Sequence, residues 1–181
     1  LQQSYFENKV EIVGNIFDGR TFGGIGIDLN GSATDASIHN NQIMNFWQDG
    51  GVVIEGCIGI RIDGGAKATI RNNRITDNKK GSNADSRWVG MGVYVKSTGG
   101  TRIEGNHFNS NFFEYAHNLP DFVDTIGDCH VYAQPQNVVV RNNSFTLANA
   151  SSGSWRSSAN VRTKGGVSTG EYVNTNSGRW A

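Results

Sequence analysis

The stretch Ala68-Thr69-Ile70-Arg71-Asn72-Asn73-Arg74-Ile75 decides the fold, because the chain repeats its pattern four more times. Each copy reads apolar residue, any residue, Gly or Asn, Asn, any residue, and then Ile or Phe. The other copies span residues 12–17, 38–43, 103–108 and 140–145. A repeat with a spacing of a few tens of residues predicts a solenoid, in which each copy contributes one coil.

The residue before the central asparagine is always glycine or asparagine, at Gly14, Asn40, Asn72, Gly105 and Asn142. These two residue types enter the left-handed αL conformation at the lowest cost. Each copy is therefore predicted to be two short strands joined by a tight bend. The central asparagines themselves are Asn15, Asn41, Asn73, Asn106 and Asn143. When the bends stack, their side-chain amides are expected to form a ladder of hydrogen bonds.

A second family of strands follows each copy after a connection of variable length. We align residues 26–29, 59–62, 92–95 and, more loosely, 128–131. From each of these strands to the next central asparagine the distance is nearly constant, at 11 or 12 residues. The length variation therefore lies before these strands. The long loops 42–58, 74–91 and 107–127 are expected to gather on one side of the solenoid.

Composition limits the classes of function. The 181 residues carry 16 basic and 16 acidic side chains, so the zero net charge gives no support for binding nucleic acid or a membrane surface. The length suits one domain, which we divide into residues 1–9 (the end of a preceding coil), 10–147 (the parallel β-helix) and 148–181 (a last coil or a decaying C-terminal segment). Since neither an initiator Met nor a signal peptide is present, we expect a processed chain or a piece of a longer one.

The repeated bends and their asparagines resemble the right-handed parallel β-helices of the pectate-lyase-like class, which includes the polysaccharide depolymerases of bacteriophage tailspikes. The resemblance implies an all-β solenoid of five to six coils. It further implies a homotrimer, extracellular or attached to the virion at the phage tail, that binds and cleaves a bacterial surface polysaccharide. Hydrolase and lyase chemistry both stay open. We expect no cofactor and no metal, because the histidines show no metal-binding spacing.

The candidate site residues lie on or beside the long loops. Aromatic rings can stack on the apolar face of a sugar, while a pair of carboxyl groups is the usual requirement for cleaving a glycosidic bond. The predicted catalytic residues are Asp85, Asp124, Asp128 and His130. The predicted substrate-binding residues are Trp47, Arg87, Trp88, Tyr94 and Tyr115.

Asp128 is the first choice among the acids, because the alignment puts it where other coils have Gly26, Gly59 and Gly92. A carboxylate at a position that otherwise carries no side chain is hard to explain by packing. A bend-capping Asp explains it equally well. The same alignment puts His130 on an outward position beside Tyr94, where it could act as an acid or a base.

The outward charges and the function of the whole protein each have two open interpretations. The column Arg71, Glu104 and Arg141, like the pair Asp28 and Arg61, reads either as a charged substrate strip or as cross-strand pairing, and we favour pairing. For the whole protein, the alternative to a depolymerase is a non-catalytic β-helix stalk or adhesin that presents carbohydrate-binding loops.

Overall fold

The structure is a computed structural model that describes residues 8–20, 24–31, 34–48, 57–80, 91–96, 99–109, 111–113, 129–133, 138–145 and 159–163. These residues form eighteen β-strands and no helix, and all the strand pairs are parallel. The predicted all-β parallel solenoid is confirmed.

The strands belong to four sheets, and the chain visits the sheets in a fixed order. The first sheet contains β1 (Asn8–Val13), β4 (Thr34–His39), β8 (Lys67–Arg71), β12 (Thr101–Glu104) and β16 (Val138–Arg141). The second contains β2 (Ile16–Asp18), β5 (Gln42–Met44), β9 (Arg74–Thr76), β13 (His107–Asn109) and β17 (Ser144–Phe145). The third contains β3 (Gly24–Asn30), β7 (Cys57–Asp63), β11 (Met91–Val95), β15 (Cys129–Ala133) and β18 (Ala159–Thr163). A short sheet contains β6 (Trp47–Gln48), β10 (Lys79–Lys80) and β14 (Phe112–Phe113). A coil that contains all four strands passes through the first, second, short and third sheets in that order.

The apolar residue that opens each repeat forms the core of the solenoid. Ile38, Ile70 and Ile103 are paired in register across neighbouring coils, and each is 0% exposed. Because alternate residues of a strand point to opposite faces, the neighbours of these residues in sequence face outward. The core of the third sheet is built in the same way, from Ile60 and Val93 among others.

The predicted αL bends are present in all five copies. The φ angles are 57° at Asn40, 54° at Asn72 and 53° at Asn142, and the two glycines, Gly14 and Gly105, adopt 69° and 64°. Each bend turns the chain from the first sheet into the second. The sequence pattern therefore identifies every corner of this kind.

The asparagine ladder is also confirmed. Asn73 is 2% exposed, and its Nδ2 donates to the Ile38 carbonyl oxygen of the preceding coil at 2.9 Å and to Asn106 Oδ1 of the next coil at 3.0 Å. Its own Oδ1 accepts from the backbone N–H and from Nδ2 of Asn41, at 2.9 and 3.0 Å. The same contacts connect Asn41, Asn73, Asn106 and Asn143, so the amides pair the backbone groups that the bends leave unpaired.

The connections differ in length from one side of the solenoid to the other. Each bend between the first and second sheets has two residues, and the returns from the third sheet to the first have three to five. The segments that enter the third sheet are 19–23, 49–56, 81–90, 114–128 and 146–158. The long segments therefore all precede the same sheet, as predicted. They are shorter than the predicted loops 42–58, 74–91 and 107–127, because the first part of each loop forms strands of the second and short sheets. Strand β18 lies within the segment 148–181, so a coil continues into it.

The fourth strand of the third sheet corrects one alignment. Cys129 pairs with Met91 and Val131 pairs with Val93, which puts His130 opposite Gly92. Tyr132, and not His130, is the partner of Tyr94. The prediction that Asp128 occupies the glycine position is therefore wrong by two residues, and so is the placement of His130 beside Tyr94.

Candidate functional site

The outward column on the third sheet is the described part of the candidate site. In register along neighbouring coils lie Asp28, Arg61 and Tyr94, and the backbone register continues to residues 132 and 162. Arg61 holds Asp28 with two hydrogen bonds, from Nε to Oδ1 at 2.9 Å and from Nη2 to Oδ2 at 2.6 Å. A fork of this kind fixes both side chains, so the predicted cross-strand pair is confirmed.

Tyr94 is a predicted substrate-binding residue that lies on a described strand of the third sheet. Its neighbours Val93 and Val95 belong to the core, so the ring lies on the outer side of the sheet. It is nevertheless only 3% exposed. Its role in substrate binding stays a prediction.

The other predicted site residues fall into two groups. Trp47 lies in β6, where it pairs with Lys79, and His130 lies in β15. The remaining residues lie outside the described part of the chain: Asp85, Arg87, Trp88, Tyr115, Asp124 and Asp128. All the predicted acids lie outside the described residues, so their roles stay predictions.

The outward column on the first sheet shows how its charges are paired. Arg141 Nε lies 2.9 Å from Glu104 Oε1, and Arg102 Nη1 lies 3.8 Å from the same oxygen. Arg71 is next to Glu104 in register but makes no ion pair with a described residue. The predicted alternating ladder is therefore formed on one side of Glu104 only.

A second ladder, which the sequence analysis missed, supports the corner between the second sheet and the short sheet. Asn78 and Asn111 are both 0% exposed, and Asn78 donates to Asn111 Oδ1 from its backbone N–H at 3.2 Å and from Nδ2 at 2.8 Å. Phe46 takes the equivalent place one coil earlier, and its backbone N–H donates to Asn78 Oδ1. The available signal is the spacing, because Phe46, Asn78 and Asn111 each follow a central asparagine by five residues.

In the first coil, the side chain of Asp18 makes hydrogen bonds at the corner that the second ladder supports in later coils. Its Oδ1 accepts from the Arg20 backbone N–H at 2.9 Å and from Asn45 Nδ2 at 3.0 Å. The hydrogen bond from Arg20, followed by that from Asn45, lowers the pKa of Asp18. The carboxylate therefore accepts from the backbone N–H of Arg20, which stands at the ladder position in the first coil.

The described residues give no sign of a metal centre or a membrane span. No three His, Cys, Asp or Glu residues among them come together as a group that could hold a metal ion. Likewise, they include no helix with the length and apolar character needed to cross a membrane.

Comparison with known proteins agrees with the fold. A family model described as right handed beta helix region matches residues 3–177, nearly the whole chain. The protein therefore belongs to the right-handed β-helix family, which occurs in polysaccharide-processing enzymes and in other proteins. None of the curated proteins and none of the solved structures in the comparison matches the chain.

Proposed function

We propose that the protein binds and cleaves a bacterial surface polysaccharide, on the side of the solenoid where the long segments enter the third sheet. One observation carries the proposal: segments 81–90, 114–128 and 146–158 precede the same sheet in successive coils, whereas the opposite corners are two-residue bends. Binding residues concentrate on loops that a rigid scaffold positions. An inert stalk has no use for such segments.

The sequence of these segments contains the groups that the chemistry requires. Segment 81–90 carries Asp85, Arg87 and Trp88, and segment 114–128 carries Asp124 and Asp128. Because the two segments enter neighbouring strands of one sheet, their acids start from positions about 5 Å apart along the solenoid axis. Glycosidic cleavage needs two carboxyl groups about 5–10 Å apart, a separation within reach of these acids.

The decisive experiment is incubation of the intact protein with a panel of capsular and O-antigen polysaccharides. Hydrolysis releases reducing ends alone, whereas a lyase also produces unsaturated sugars that absorb ultraviolet light. Asp85→Asn, Asp124→Asn and Asp128→Asn are compared with Asp35→Asn, a matched change at an exposed position of β4. At least one of the three should lose about 100-fold or more in kcat/KM with unchanged melting, while Asp35→Asn stays active.

A second function, a non-catalytic stalk or adhesin, is favoured by one specific observation. Four of the six acids on the described strands lie against a basic side chain. The pairs are Glu11 with His39, Asp28 with Arg61, Asp63 with Lys96, and Glu104 with Arg141. Such pairing is structural. Tight binding of a polysaccharide without release of either product would establish the adhesin and refute the depolymerase.

For the assembly we propose a tailspike-like homotrimer, extracellular or attached to a virion. The support is the resemblance together with two exposed apolar side chains of the first coil, Val13 at 44% and Ile16 at 66%. The equivalent outward positions in the next coil carry His39 and Gln42. Apolar exposure at these positions suits contact of the first coil with another subunit, which leaves the later coils of the same columns open. A monomer mass in static light scattering of the intact protein would refute the trimer.

A further inference from the structure

The outer surface of the first and second sheets carries a marked charge asymmetry along the solenoid. In β8, β9, β12, β13, β16 and β17 there are five Lys or Arg residues and one Glu. In β1, β2, β4 and β5 there are one Lys and three acidic residues. Since the whole chain has zero net charge, the later coils concentrate positive charge on the two sheets that the two-residue bends connect.

Four arginines form the centre of this surface, which we call the basic ridge: Arg71, Arg74, Arg102 and Arg141. Arg71 and Arg74 stand on either side of one αL bend, at the end of β8 and the start of β9. Arg141 is two coils beyond Arg71 in the same column, about 10 Å along the axis. Glu104 lies between them, and it is the only acid in these strands.

The ridge is accessible and only partly neutralised. The Arg102 and Arg141 side chains are 61% and 37% exposed, and Arg71 and Arg74 are exposed as well. Glu104 contacts Arg141 at 2.9 Å and Arg102 at 3.8 Å. Neither Arg71 nor Arg74 forms an ion pair or a side-chain hydrogen bond with a described residue. Their guanidinium groups therefore have donors available for an external anion.

We propose that the basic ridge binds an acidic polysaccharide through its carboxylate or sulfate groups. Arginine presents a planar fork that matches such groups with two hydrogen bonds. The two arginines of the first-sheet column lie two coils apart, about 10 Å along the axis. A linear polymer with regularly spaced anions can therefore engage Arg71, Arg74 and Arg141 together. The ridge would hold the chain at a second surface. Its existence does not depend on the depolymerase site at the third sheet.

A polysaccharide fits this surface better than a nucleic acid does. Single-stranded nucleic acids usually stack their bases on aromatic rings, and outward positions of the described strands around the ridge carry no Phe, Tyr or Trp. Duplexes are read by elements that enter a groove, whereas the ridge lies on the strands of two stacked parallel sheets.

Binding of the intact protein to four probes tests the proposal: polygalacturonate, heparin, neutral dextran and an oligo-dT strand. We expect binding to the two acidic polysaccharides that weakens with salt, and none to dextran. The double change Arg71→Gln and Arg74→Gln should weaken binding between about threefold and thirtyfold, since each exposed contact contributes modestly. Lys9→Gln, which removes an exposed cation from β1 of the same sheet, should leave the affinity unchanged.

Glu104→Gln gives the test in the opposite direction. It removes the single negative charge of the ridge, so the affinity for polygalacturonate should rise by about two- to fivefold. If the double arginine variant melts below the parent protein, this rise still decides the matter. Equal binding of dextran, an equal loss with Lys9→Gln, or an unchanged affinity in Glu104→Gln would overturn the proposal. Tighter binding of oligo-dT than of either polysaccharide would assign the ridge to nucleic acid instead.

Discussion

Replacing Asn73 by Ala tests the interaction that holds the coils together. Asn73 lies in the middle of the ladder, is 2% exposed and makes four side-chain hydrogen bonds to neighbouring coils. Alanine leaves two buried backbone groups without these partners, the Asn41 N–H and the Ile38 carbonyl. The Asn41 amide keeps its bond to the Ile12 carbonyl, and Asn106 Oδ1 keeps the bond from the backbone N–H of residue 73.

The expected cost follows from those two groups. A buried backbone group that loses its partner costs about 1–3 kcal/mol, so the substitution should lower the free energy of unfolding by about 2–6 kcal/mol. For a protein of this size, each kcal/mol shifts the melting temperature by about 2–4 °C. Thermal melting followed by circular dichroism and urea unfolding both measure the change.

Two control variants separate the ladder from general effects of substitution. Asn72→Gly changes the exposed αL residue of the same bend to the residue found at Gly14 and Gly105, and it should change stability by less than about 0.5 kcal/mol. Asn15→Ala changes the exposed first member of the ladder and should cost clearly less than Asn73→Ala. An unchanged melting temperature for Asn73→Ala, or an equal loss for Asn15→Ala, would refute the reasoning.

Three further changes test other contacts of the scaffold. Asn78→Ala removes the centre of the second ladder and should cost about 1–4 kcal/mol in urea unfolding, because Asn111 loses an amide partner. Arg61→Gln breaks the fork to Asp28 and should cost about 1 kcal/mol by the same measurement. The lowered pKa of Asp18 means that its stabilisation is present above the ordinary value of 3.8 and is lost as the pH falls through the lower folded value. Asp18→Asn should therefore flatten that part of the acid-unfolding curve, and an unchanged curve would contradict the assignment.

The corners between the first and second sheets could be predicted from sequence because their cause is local. Each corner needs an αL residue followed by a side-chain amide, and few residue types meet the first requirement. Gly or Asn stands at the αL position in every copy. The second ladder was missed because its pattern is weaker. Phe46 replaces the amide in one coil, and Arg20 stands at that place in the first coil.

The alignment error in the third sheet also has a physical cause. Strand side chains alternate with a period of two, so a shift by two residues leaves Cys129 and Val131 on the same faces as before. Only the glycine position distinguishes the two alignments, and the fourth coil has no glycine there. The candidate acids could not be placed for a different reason. They lie in long segments whose sequence does not repeat, so nothing periodic predicts their positions.

The position opposite Gly92 supplies the last prediction, because three coils have glycine where the fourth has His130. A Cβ at Gly26 would lie 2.7 Å from the Gly59 carbonyl oxygen, and one at Gly59 would lie 2.6 Å from that of Gly92. Contacts this short force the backbone to shift. Gly59→Ala should therefore cost about 1–3 kcal/mol in urea unfolding.

His130→Gly restores the residue that the scaffold uses in the other coils, so it should melt at or above the temperature of the parent protein. If His130 is kept at this position for proton chemistry, the same variant should lose depolymerase activity by about 100-fold or more. A packing role of His130 cannot explain a loss of depolymerase activity at an unchanged melting temperature. A fall in melting temperature as large as that of Gly59→Ala would show that the fourth coil has adapted its packing to the histidine, and His130 would then be structural.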